Sequence, residues 1–178
     1  MNEQLHETQT ATKEIFRGKM ISLRVDTVTL PNGKTTTREV VEHPGAVAIV
    51  ALPTSDEVLL VHQFRYATGQ VSIELPAGKL EPNEQPDQAA IRELQEETGY
   101  HTSTIAPVMQ FFSTPGFSDE RMYLYVAKDL TSGEQQLDED EFVSCTRANK
   151  MKVKEMIAQG DITDAKTLVG LLWWLQQS

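Results

Sequence analysis

Apolar and polar positions alternate early in the chain, where polar residues separate Ile21, Leu23 and Val25, and Val28 to Leu30 run into Pro31-Asn32-Gly33-Lys34. Period-two alternation ending in a turn signal predicts a β-hairpin that closes near Val41. Residues 1–14 are polar and read as a loose terminus. AVAIVAL (46–52) and EVLLVHQF (57–64) are denser apolar runs split by Pro53, Thr54, Ser55 and Asp56, which predicts a second, more buried hairpin. VSIEL (71–75), residues 104–113 and 121–127, and FVSCT (142–146) predict further strands.

The period changes between Pro86 and Thr98. Pro86 suits a first helical turn, Asp87 complements its dipole, and Gly99 stands where a left-handed terminating residue belongs, so a helix is expected there. Helical pattern returns after Arg147, breaks at Gly160-Asp161, and resumes from Thr163 or Asp164 through LVGLLWWLQQ. Trp173 and Trp174 lie inside that apolar helix and read as core. Strand blocks with one mid-chain and one terminal helix predict an α/β or α+β fold, a three-layer sandwich with helices packed on mixed sheets.

At 178 residues and 39% hydrophobic, the chain has material for one core plus an N-terminal appendage. The expected division is a β extension over 1–43, serving dimerisation and open to exchange between subunits, and a main domain over 44–178. A formal charge of −10, from 26 acidic against 16 basic residues, disfavours nucleic acid and anionic membranes as partners. The lone Cys145 forms no internal disulfide and lies in an apolar run, so it reads as packing rather than a nucleophile. With a polar start and no apolar run near the ~20 residues of a membrane span, a cytoplasmic setting is expected.

The predicted helix carries the chemistry. Glu93, Glu96 and Glu97 fall within roughly 100° of one another on an ideal helix, with Ile91 and Leu94 in a neighbouring apolar sector. Like charges three and four residues apart destabilise a helix by a few tenths of a kcal/mol each, so a positive group should offset them. Arg92 is expected to project away from the cluster and to neutralise one carboxylate at most, with Glu84 its expected partner. A hard divalent cation, Mg²⁺ or Mn²⁺, fits the remainder, because it takes oxygen ligands and bridges phosphates. Taken alone, REXXEE reads first as a solvated acidic face rather than a metal site.

The flanking residues decide. Gly78 precedes Glu84 by six residues, and Arg92, Glu93, Leu94, Glu96, Glu97, Gly99 and Tyr100 stand at fixed steps after it. This pattern resembles the Nudix hydrolase box, with only Tyr100 a loose match. The resemblance implies a loop–helix–loop on an α/β/α sandwich with mixed β-sheets. It also implies hydrolysis of a nucleoside diphosphate linked to a second group. Metal would be held by Glu93 and Glu97, with Glu96 assisting and the Ala77 carbonyl as a further ligand.

Pro115, fifteen residues beyond Tyr100 in Ser113-Thr114-Pro115-Gly116, is similar to the proline that marks ADP-ribose pyrophosphatases within that family. It equally suits a type II turn. The resemblance runs from IFRGKMISL through QFRYA, ELPAGKLE and FFSTPGFSDE to DITDAKTLVGLLWWLQ. It implies ADP-ribose as substrate and AMP and ribose 5-phosphate as products. Another nucleotide sugar such as GDP-mannose is the alternative, and a non-catalytic ADP-ribose sensor is the rival from a different class. Arg38 and Arg65 offer flat guanidinium forks for the diphosphate. The resemblance adds Phe16, stacking on adenine, with Leu80, Pro115 and Glu120 as further substrate contacts, and implies a homodimer in which Phe16 and Arg38 serve the partner's site. The run Asp138-Glu139-Asp140-Glu141 taken alone is a solvated loop. Similar enzymes carry a water-activating glutamate there, which points to Glu139, with Glu141 a further metal ligand and Glu96 and Arg92 completing the catalytic set.

Overall fold

The computed structural model describes residues 5–137, 139 and 141–177. Strands β1 (Thr8–Arg17), β2 (Ser22–Thr29) and β3 (Thr35–Glu42) form an antiparallel sheet in the order β1-β2-β3. The β2–β3 hairpin lies where alternation predicts it, and its turn is closed by Gly33 N donating to Leu30 O at 2.9 Å and Leu30 N to Lys34 O at 2.8 Å. The expected loose terminus is overturned by β1, all of whose residues are exposed. Threonines at 8, 10 and 12 favour extended backbone and the ladder to β2 supplies the hydrogen bonds, while exposure on both faces erases the alternation that sequence reading relies on. Val40 stands opposite Arg24, on the other face from Leu23 and Val25. The residues through Gly45 cluster with Phe112–Arg121 as one compact unit, and Ala46–Phe111 with the chain from Met122 onward as a second.

The second unit begins with β4 (Ala46–Ala51), β5 (Glu57–Arg65), β6 (Gln70–Glu74), β7 (Ala77–Lys79) and α1 (Pro86–Thr98). It continues through β8 (Tyr100–His101), β9 (Thr104–Phe112), β10 (Arg121–Lys128), β11 (Thr131–Ser132), β12 (Val143–Asn149), α2 (Lys150–Gln159) and α3 (Ala165–Leu175). Its sheets run β7-β4-β10-β9 and β12-β5-β6, with a short β11-β8 pair. The β4–β10 ladder is parallel and β4–β7 antiparallel, so the larger sheet is mixed. The expected hairpin between 46–52 and 57–64 does not form, because β4 pairs with β7 and β10 while β5 pairs with β6 and β12. Every residue of β4 is buried, and a strand apolar on both faces says nothing about which neighbour it takes. Helix also starts later than the pattern after Arg147 suggests: β12 runs to Asn149, whose side chain accepts from Lys152 N at 2.8 Å and caps α2.

Alternate residues of β4 serve opposite layers. Ala46, Ala48 and Val50 join Val58, Leu60, Val153, Met156, Leu171 and Trp174 on the α2/α3 side. Val47, Ile49 and Ala51 join Leu59, Ala89, Ala90 and Leu94 on the α1 side. Fully burying each of the larger side chains contributes about 1.5–3 kcal/mol, which is what fixes both helical layers against the strands. On α1 the buried stripe runs through Ala90, Leu94 and Glu97, at spacings of four and three residues. Ile91, expected on the apolar face, is therefore 39% exposed. The same rotation carries Glu97 into the interior.

Candidate active site

α1 delivers three box carboxylates to one place. It starts at Pro86 and ends on Gly99, whose φ of 71° allows its N–H to bond Gln95 O at 2.8 Å. A side chain there would be strained in that left-handed conformation. Glu97 is 4% exposed and accepts from Ala77 N at 2.9 Å and from Gln63 Nε2 at 3.5 Å. Burial, with help from the neighbouring Glu93 and Glu141 carboxylates, pushes Glu97 up to about 8, against the lowering effect of the Ala77 bond and Arg65. Burial likewise raises Glu93, to which Glu96 and Glu141 add and which Arg92 opposes. Glu93 lies against Gly78: a Cβ there would sit 2.0 Å from the Glu93 carboxylate.

Arg92 corrects one expectation. It does not project away from the acids: Nε and Nη2 hold Glu84 at 2.9 Å each, while Nη1 reaches Glu93 at 2.7 Å and Glu96 at 2.8 Å. That guanidinium keeps Glu84 below the usual carboxylate range. Glu97 is left outside its reach. Among the described residues no three His, Cys, Asp or Glu side chains converge closely enough to form a ready metal cage.

The loop after β11 is fastened to the end of α1. Gln136 N donates to Glu96 O at 3.1 Å, Gly133 N to Gly99 O at 2.7 Å, and Gln135 Nε2 to both Glu97 O and Val143 O. Glu141 lies within electrostatic reach of Glu93 and Glu97. Glu139 is exposed in a turn, and Asp138 and Asp140 lie outside the described residues. Arg65 pairs with the buried Glu74, and its charge is felt at Glu97. Leu80 packs half-buried on the α1 side. Burial pushes the Cys145 thiol up to about 11, which suits packing rather than attack.

The remaining expected substrate residues belong to the first unit. Phe16 on β1 is 54% exposed, and Arg38 on β3 pairs with Glu7 at 2.6 Å. Glu120 accepts from Ser113 Oγ and lies 3.7 Å from His43 Nδ1. Pro115 does not enter a type II turn. Phe117 N and Ser118 N both bond Thr114 O, at 3.2 and 2.9 Å, and Gly116 is not at positive φ, so the segment is a single right-handed turn.

The NUDIX domain family matches residues 42–169, and the nucleoside diphosphate sugar hydrolase N-terminal domain matches residues 7–41. The chain belongs to the NUDIX family. Among NUDIX relatives, it is 41% identical to an ADP-ribose pyrophosphatase of Bacillus subtilis (strain 168), over 92% of this chain and 89% of that one. It is also 41% identical to a methanol dehydrogenase activator of Bacillus methanolicus, over 96% and 94% of the two chains. A crystal structure of an ADP compounds hydrolase shares the fold at a TM-score of 0.83, with 22% identity over 94% of this chain and 92% of that one.

NUDIX hydrolases need a divalent metal, and the residues present fit one. Burial raises both Glu93 and Glu97; among the described residues Glu97 has no cation bonded to it, while Arg92 reaches only Glu93 of the two, and the absence of a side chain at Gly78 is what lets the Glu93 carboxylate lie there. The side chains of Gln63 and Gln135, which hold Glu97 and the acidic loop, were not legible in the sequence. Amides in loops and at strand ends carry no periodic signal; only the spatial neighbour gives them a role.

Proposed function

We propose that this NUDIX chain hydrolyses the pyrophosphate of ADP-ribose to AMP and ribose 5-phosphate with Mg²⁺. The observation that carries the reading is the intact carboxylate helix with Glu97 buried against Ala77, in a chain similar over nine-tenths of its length to an ADP-ribose pyrophosphatase. Glu93 and Glu97, with Glu96, Glu141 and the Ala77 carbonyl, would hold the cation. When bound, it neutralises phosphate charge and lowers the pKa of water. Arg92 holds Glu84, Glu93 and Glu96 in register, and Arg65 donates to the diphosphate. Glu139 accepts the proton of the attacking water; its exposed turn is compatible with closing only over substrate. Leu80 is a further substrate contact on the same unit.

A substrate panel assayed with Mg²⁺, and again with chelator, tests this. ADP-ribose is expected to release phosphomonoester fastest and chelator to abolish release, while preference for GDP-mannose would shift the substrate and no turnover on any nucleotide sugar would overturn the reading. In the same assay Glu139→Gln is expected to lower kcat steeply with KM within about threefold. Full turnover there, with loss in Glu141→Gln, would move the base by two residues.

The active form is proposed to be a homodimer in the cytoplasm, with Phe16 and Arg38 serving the site of a second copy. Ile15, Phe16 and Met20 expose large apolar surface on and beside β1, which a two-fold interface would bury. Light scattering should give twice the 19.9 kDa chain mass. Mixing Arg38→Ala with Glu97→Gln subunits should restore one intact site per hybrid. A fully active monomer would refute the shared site.

A further inference from the structure

Glu74, at the end of β6, is 1% exposed. Arg65, at the end of the adjacent β5, grips it bidentately: Nε donates to Oε1 at 2.8 Å and Nη2 to Oε2 at 2.7 Å. Lys166 Nζ bonds Glu74 Oε2 as well, and reaches Asp164 Oδ2 at 3.0 Å. Burial alone would raise the Glu74 carboxyl, but Arg65 and Lys166 more than offset it and hold it at about 2.

The lysine is itself built in. It sits in the first turn of α3, whose N-cap Asp164 accepts from Thr167 N at 2.9 Å. The fully buried Thr167 hydroxyl accepts from Leu75 N at 2.9 Å, so the residue after Glu74 is tied to the same helical turn. Two residues further on, Ala77 N–H bonds Glu97. A stretch of four residues, Glu74 to Ala77, thus links the α3 N-terminus to the acidic centre.

Neutralising one buried carboxylate needs one cation, and Arg65 alone supplies the charge and both hydrogen bonds. The geometry does more than neutralise. A bidentate pair fixes the plane of the guanidinium, and Lys166 pins the carboxylate that does the fixing. Nε and Nη2 are committed to Glu74, while the Arg65 side chain stays 42% exposed, so its Nη1 edge is what a ligand can meet. The Arg65 charge already acts on Glu97.

We propose that Glu74, braced by Lys166 from α3, is a positioning residue that presents the free edge of Arg65 to the substrate diphosphate. The inference rests on the proposed ADP-ribose hydrolysis and on Arg65 meeting the diphosphate. It assigns the C-terminal DITDAKTLVG segment a role in substrate binding, since a charge on the first turn of α3 sets the aim of a side chain on β5. Gln at 74 keeps the shape but offers one acceptor in place of two and leaves an unbalanced positive charge, since Asp164 answers for Lys166 and no other described carboxylate pairs with Arg65.

Steady-state kinetics on ADP-ribose at saturating Mg²⁺, with thermal melts, test it on five variants: Glu74→Gln, Lys166→Met, the double Glu74→Gln/Lys166→Met, Arg65→Ala, and Arg65→Ala/Glu74→Gln. Glu74→Gln is expected to raise KM about tenfold with a much smaller change in kcat, because the diphosphate is bound in ground and transition states alike. Lys166→Met should raise KM less, since the bidentate pair survives it. The double Glu74→Gln/Lys166→Met removes the unbalanced charge, so its melting temperature should recover while KM stays raised. On Arg65→Ala, adding Glu74→Gln should raise KM no further. Recovery of KM together with melting temperature, or an equal KM effect of Glu74→Gln with and without Arg65, would reduce Glu74 to a fold support and overturn the proposal. Should wild type fail to turn over ADP-ribose, the reading of the substrate falls instead. Calorimetric titration of the same variants with ADP then decides the positioning role, which requires weaker ADP binding in Glu74→Gln than in wild type; equal or absent binding throughout would overturn it.

Discussion

Glu97→Gln is expected to lower turnover on ADP-ribose by about a hundredfold or more while making the metal-free protein more stable at alkaline pH. Both effects have one cause. Glu97 is buried beside Glu93 and within reach of Glu141, and it is pushed up from 4.5 to about 8. A carboxyl whose folded-state value is raised favours folding while it is protonated in both states, so its contribution is fully present below about 4.5. It is lost as pH rises from there to about 8, at up to ~1.4 kcal/mol per pH unit, because the unfolded chain ionises freely and the folded one does not. Glutamine keeps the shape and the bond from Ala77 N but never ionises. Melts of metal-free protein at pH 8.5 and 5 should therefore show the variant about 4 °C or more above wild type at the higher pH and little different at the lower. Added Mg²⁺ should raise the wild-type melting temperature and leave the variant nearly unmoved. A variant that keeps activity within a few-fold of wild type would end the assignment of Glu97 to the metal. One that loses activity without gaining alkaline stability would show that the carboxylate is already neutralised by protein groups.

Gly78→Ala is expected to lower kcat/KM by about a hundredfold with a melting temperature within about 3 °C of wild type. The added Cβ would stand 2.0 Å from Cδ and Oε1 of Glu93 and 2.3 Å from Oε2. Contacts that short do not persist, and the atoms that must give way are the far end of a flexible side chain rather than backbone. Gly78 does not hold positive φ, so alanine meets no backbone strain there. The fold therefore survives and Glu93 moves, taking with it a proposed metal ligand and its 2.7 Å contact to Arg92. Near-normal activity with Mg²⁺ would mean that Glu93 acts from a different position than the one Gly78 makes room for.

Local rules made the box helix readable to the residue. Proline at its start, glycine at its end and apolar spacing between them act within a few residues of the chain, and α1 spans Pro86–Thr98 as they require. The β2–β3 hairpin was legible for the same reason, because its turn is written in four consecutive residues. The spacing of Glu93, Glu96 and Glu97 needed only helical geometry to become a cluster.

Pairing and aim were decided elsewhere. β4 and β5 follow one another yet enter different sheets, because strands buried on both faces choose partners by the packing of the whole core. VSIEL alternates as though Val71 faced inward; instead Val71 is 63% exposed and Glu74 is buried. Two cations distant in sequence, Arg65 and Lys166, make that inversion affordable by neutralising the charge that would otherwise forbid it. Arg92 turned toward the acids rather than away because Glu84, eight residues earlier, stands across from it in the folded chain. The sequence by itself determined which chemical groups lie on one helical face, since a helix is built from contacts three and four residues apart. Which charges those groups meet, and so what each can hold or donate, was settled only by the tertiary structure, because opposite charges find one another through space and burial sets the strength of their meeting.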